Sequence, residues 1–155
     1  MLILSSPAKL RRKATVVALL VPLALTACTS DKGPTVAQAG QTLKSHILQL
    51  LKESNAQNVT IADPGGKNIP CEEGKAKQTF AAIAVDSESL SKPQIVKDGL
   101  ISALSRVAPY KIVSDGFDDK PIQLENAATG TILYIGSSGH GEIDVRGQTQ
   151  CLSVA

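Results

Sequence analysis

The apolar residues of this chain change their spacing at Pro109, and that change narrows the folds open to it. Before it, Val36, Leu43, Ile47, Leu50 and Leu51 recur at three- and four-residue intervals, as do Val96, Leu100, Ala103, Leu104 and Val107. Each set lines one side of a helix. After Pro109 the interval falls to two. Tyr110–Ser114, Ile122–Glu125, Thr131–Ile135, Glu142–Arg146 and Cys151–Val154 read as strands, separated by turns at Asp115-Gly116, 126–130, 136–141 and Gly147-Gln148. Helices early and strands late predict an α+β domain, with two helices packed on one face of a mostly antiparallel sheet and one disulfide.

Local signals fix several boundaries. Thr35-Val36-Ala37-Gln38 has the pattern of a capping box, and the helix it opens should end near Ser54-Asn55. Ser91-Lys92-Pro93-Gln94 repeats the pattern, with proline in the first turn, where a missing N–H costs little. Val59 and Ile61 alternate in a short strand, Asp63-Pro64-Gly65-Gly66 forces a turn, and a polar loop is expected through Cys71 to Lys77. Thr79–Val85 is apolar at every position after the first, the composition of a central strand covered on both faces. Glu142-Ile143-Asp144-Val145-Arg146 alternates charge with apolar residues, so one of its faces should be wet.

The N-terminus has the three-part build of an export signal. Lys9, Arg11, Arg12 and Lys13 precede an apolar run, Ala14–Leu25, that ends in Leu25-Thr26-Ala27-Cys28. Crossing a bilayer takes about 20 apolar residues, and this run is far shorter and holds Pro22. The segment resembles the signal peptides of bacterial lipoproteins. The resemblance implies that Cys28 receives a diacylglyceryl group and that the chain is cut just before it. Residues 1–27 are then signal, 28–34 a lipidated tether and 35–155 a single extracytoplasmic domain. Thr29 follows the cysteine, so the aspartate of inner-membrane retention is not there. Thr29–Pro34 spans at most about 20 Å when straight, which holds the domain near the membrane surface.

Removal of the signal inverts the charge balance. The chain has 16 Lys and Arg against 14 Asp and Glu, but four of the basic residues leave with the signal, so the mature part is acidic by two. Its basic character belongs to the signal and gives no support to nucleic-acid binding. With Cys28 assigned to lipid, Cys71 and Cys151 remain, an even pair in an oxidising compartment, and they are expected to bond to each other. No further cysteine or histidine stands at metal-ligand spacing beside them, and neither metal nor cofactor is expected.

Three clusters invite a chemical reading. Gly136-Ser137-Ser138-Gly139-His140-Gly141 places hydroxyls beside a histidine, but a nucleophile elbow centred on Ser138 needs glycine where His140 stands. A hairpin loop is the expected role. Asp115-Gly116-Phe117-Asp118-Asp119 lacks the order of an EF-hand loop and reads as a solvated turn. Glu72-Glu73 beside Cys71 reads as an exposed loop, and His46 as a partly exposed packing residue on the first helix. Aromatics make up 3% of the chain, which weighs against carbohydrate or peptidoglycan platforms.

The mature region is similar in size and layout to small single-disulfide envelope lipoproteins of unassigned function. The sequence reading is therefore a monomeric, non-enzymatic, lipid-anchored domain that binds an envelope protein or small ligand. The alternatives are a small surface hydrolase using Ser138 and His140 with a carboxylate such as Asp144, and a purely structural envelope protein.

Overall fold

A computed structural model describes residues 33–87, 92–116 and 120–155. The expected signal, Cys28 and most of the expected tether lie outside the described residues. The domain is α+β, with two helices, α1 (Val36–Glu53) and α2 (Pro93–Leu104), on one face of an antiparallel sheet. The strands are β1 (Gln57–Asp63), β2 (Ile69–Glu72), β3 (Lys75–Lys77), β4 (Thr79–Val85), β5 (Lys111–Ser114), β6 (Ile122–Asn126), β7 (Thr131–Gly136), β8 (Glu142–Thr149) and β9 (Leu152–Ser153). Six of them form the main sheet in the order β1-β4-β8-β7-β6-β5, and β2-β3-β9 form a small second one. From β4 the chain crosses through α2 to the far edge, then returns by the meander β5-β6-β7-β8 to close on β4.

Helix α1 starts where its capping box directs. The Thr35 hydroxyl accepts from Gln38 N–H at 3.4 Å, and the Gln38 side chain accepts from Thr35 N–H at 3.0 Å. Its far end closes on Asn55, which takes a left-handed φ of 55° that asparagine tolerates. The stripe Leu43, Ile47, Leu50 and Leu51 is buried against Phe80, Ala82 and Ala84 of β4, Leu133 and Ile135 of β7, and Ile143 and Val145 of β8. Val96, Leu100, Ala103 and Leu104 of α2 complete the same core, with Val107 packed at its margin.

The structure corrects the sequence reading in four places. Helix α2 begins one residue later than the Ser91 box implies: Lys92 is its N-cap, without a side-chain hydrogen bond, and Pro93 takes the first helical position. Ser91 lies outside the described residues, and Gln94 bonds forward to Asp98 at 2.8 Å. The polar stretch before Lys77 is not all loop. It forms β2 and β3, which gain β9 as a third strand. The C-terminal strand shrinks accordingly to Leu152–Ser153.

Gly147-Gln148 is not a turn, because β8 runs through it to Thr149. A Cβ at Gly147 would come within 2.4 Å of Leu43 Cδ1 and 3.0 Å of the Ile132 carbonyl. The glycine gives α1 room to lie on the central strands. The fourth correction concerns β4. Its inward side, Phe80, Ala82 and Ala84, is buried, but among the described residues no second layer covers its other side, and Ile83 is 37% exposed.

Cys71 and Cys151 form the expected disulfide, with Cα atoms 6.1 Å apart. The bond ties β2 to the residue just before β9. It closes a loop across a sequence separation of 80 residues. Chain-entropy reasoning gives about 4.5 kcal/mol for such a loop. Cys151→Ser should therefore lower the thermal midpoint clearly, measured by calorimetry on the oxidised protein. Gly147→Ala should cost roughly 1–3 kcal/mol through overpacking against Leu43, read from denaturant titration; a neutral result would mean that α1 does not depend on this close approach.

Candidate functional site

The uncovered face of the main sheet holds a groove of about 450 Å³. Strand alternation builds it: Thr79, Ala81 and Ile83 of β4, Asp144, Arg146 and Gln148 of β8, and Tyr134 of β7 all point away from the helices. Ala81 and Ile83 make an apolar floor with the Tyr134 ring. The polar groups around it are already organised. Arg146 grips Asp144 with Nε to Oδ1 at 2.9 Å and Nη2 to Oδ2 at 2.6 Å. This pairing strengthens the guanidinium's hold on its proton, raising its pKa. Gln148 Nε2 donates to the Tyr134 hydroxyl at 3.3 Å.

At the β1 side, Asp63 accepts the Thr79 hydroxyl at 2.5 Å and Gly65 N–H at 2.9 Å. Those bonds hold its carboxyl below the usual range; burial opposes them, and the charge of Lys67 adds a smaller push in their direction. Past Asp144 and Arg146 the groove continues into a second hollow of about 830 Å³, bounded by Pro121, Gly136, Ser137, Ser138 and Glu142. Tyr134, Asp144 and Arg146 line both hollows, so they form one continuous surface. Ser137 Oγ is buried here and has no hydrogen-bond partner among the described residues.

The Gly136–Gly141 segment connects β7 to β8, as expected of a hairpin loop. Gly139, His140 and Gly141 all take positive φ, the backbone of a tight reversal. Ser138 Oγ donates to the Glu142 carboxylate, and His140 is exposed. Among the described residues no hydrogen bond joins Ser138 to His140 or His140 to Asp144, whose carboxylate is held by Arg146. The three residues weighed for hydrolysis are thus not assembled into a nucleophile and its base.

Of the carboxylate cluster, Phe117, Asp118 and Asp119 lie outside the described residues. The neighbouring Gly116 carbonyl accepts from Lys97 Nζ at 2.9 Å. Lys97 is a buried cation that helical periodicity alone did not single out, because it sits beside the apolar stripe of α2. Glu72 pairs with Lys75 at 2.6 Å on the exposed small sheet.

The chain matches no known protein family, and no curated protein or solved structure resembles it significantly.

His46 is more embedded than a packing residue needs to be. Its Nδ1 lies 2.9 Å from the Tyr110 hydroxyl, which lies 2.7 Å from Thr131 Oγ1, and Thr131 Oγ1 lies 2.8 Å from Thr129 Oγ1. This polar chain pins α1 to the start of β7. Burial lowers the His46 pKa, so the folded protein prefers the neutral ring. The unfolded chain takes up a proton first as pH falls through about 6.5, so this contribution to stability is full above that pH and is lost below it. The thermal midpoint should fall between pH 7 and pH 5, and His46→Gln should flatten that slope. An unchanged slope in the variant would assign the titration elsewhere.

Proposed function

We propose that the chain is a lipid-anchored envelope protein whose domain is a non-enzymatic binding module, working through the open face of its main sheet. The signal ending in Leu25-Thr26-Ala27-Cys28 supports the anchor. The groove carries the binding reading. It joins an apolar floor of Ala81, Ile83 and Tyr134 to a few oriented polar groups, the composition expected of a recognition surface.

The placement of the groove relative to the tether fits this role. Helix α1 begins at Val36, and Gly40 in its second turn lies against Gln78, next to the start of β4 and the end of β8. The 136–141 loop lies at the other end of those strands. A domain held by a tether of about 20 Å at the first end presents the second hollow of the groove at the opposite end, away from the membrane.

Two measurements separate the parts of this proposal. Cys28→Ala should release the protein from membranes or leave it as an uncut precursor, because stable attachment depends on the acyl chains carried by that cysteine. Unchanged retention with normal cleavage would refute the anchor. Ile83→Glu, at a partly exposed position, should leave the thermal midpoint within about 0.5 kcal/mol of stability while abolishing partner binding.

A further inference from the structure

The open face rests on the reading just given, and its charge says what covers it. Strand β4 has apolar residues on both faces, yet only one is buried by helices. On the other, Ile83 is exposed and Ala81 and Val85 are half-buried, and among the described residues no helix lies over them, so the strip is a seat for a further layer. Among the side chains lining the two hollows, the charged ones are Asp63, Glu142, Asp144 and Arg146. Arg146 and Asp144 neutralise each other. Asp63 and Glu142 remain as two carboxylates at opposite ends of the strip, and Lys67 near Asp63 lies outside the lining.

Those two ends have a definite separation. Asp63 is in register with Ala81 and Glu142 with Val85, on opposite sides of β4. Four residues along a strand and two strand spacings across it place them roughly 16 Å apart. A second copy of this chain would bring carboxylates against carboxylates, which disfavours a face-to-face dimer. An extended peptide is also a poor occupant, because the face of a sheet offers no backbone partners and the peptide's own N–H and C=O groups would go unpaired over an apolar floor. A helix satisfies its own backbone and is the usual second layer on a sheet.

We propose that the open face receives an amphipathic helix of another envelope protein, seated on Ile83 and carrying Lys or Arg toward Asp63 and Glu142. At a rise of 1.5 Å per residue, cations that reach both carboxylates stand about eleven residues, or three turns, apart. Apolar residues between them cover Ala81, Ile83 and Tyr134.

The test uses the full chain in its native cells, with a photo-crosslinking residue in place of Ile83 and the captured segment sequenced by mass spectrometry. Crosslinks should fall in an amphipathic segment with basic residues about three turns apart. Glu142→Lys, an exposed change, should lower the yield about tenfold, as for loss of one partly desolvated ion pair. Asp63→Asn, whose oxygen still accepts from Gly65 N–H while its amide NH₂ donates to the Thr79 hydroxyl oxygen, should lower it severalfold. Capture of an acidic segment, a second copy, a glycan or a lipid would overturn the cationic helix while leaving the face as a binding site. No capture at Ile83, in protein that is folded and membrane-bound, would overturn both.

Discussion

The contact of Leu43 with Gly147 sets the distance between α1 and the sheet, and the rest of the core is arranged around it. Because β8 lacks a side chain at that point, the helix settles directly over the β4–β8 pair. Leu43, Ile47, Leu50 and Leu51 can then reach inward residues of β4, β7 and β8 at once. Each such side chain removed from water contributes about 1.5–3 kcal/mol, so a shift of the helix by one methyl group would be felt across the whole stripe. The second helix packs beside α1 and over β7, completing the same core.

Both helices lie on one side, so among the described residues the other face has no helix over it, and this division of labour explains where polar groups sit. On the helix side, polar side chains are few and tied down: Lys97 to the Gly116 carbonyl, Thr149 to Gln78 N–H at 3.0 Å, and Thr131 into the His46–Tyr110 chain. Each is satisfied, as buried polar groups must be. On the open side the polar groups are exposed or half-buried and oriented by one another, with Asp144 and Arg146 at the centre. The first set fixes the fold and the second shapes a surface.

How much of this was legible in the chain depended on range. The α1 capping box, the β4 boundaries and the hairpin at 136–141 are written in contiguous residues, and they stand where the spacing placed them. Gly147 was misread as a turn because its role depends on a helix more than a hundred residues earlier in the chain. The small sheet is hidden for a similar reason: β2 and β3 are only four and three residues long and mostly exposed, and they are joined by β9 and the disulfide rather than marked by any apolar alternation of their own. The groove was illegible for the same cause. It arises only when Ala81 and Ile83 are set beside Asp144 and Arg146 by a register that local sequence does not encode.

The disulfide has a consequence for the order of assembly. The least local pairing in the sheet joins Thr79–Val85 to Glu142–Gln148, and it requires the chain to leave through α2 and return through three further strands. Non-local pairings of this kind are the slow ones, because loop closure comes before the contacts that reward it. Cys71 and Cys151 lie just outside the two strands, at the end where Thr79 meets Gln148. Once they are joined, β4 and β8 begin from a shared knot and can zip from that end. Oxidation of the two thiols would therefore act on the speed of folding as well as on its equilibrium, making the central ladder a neighbourly event rather than a distant one.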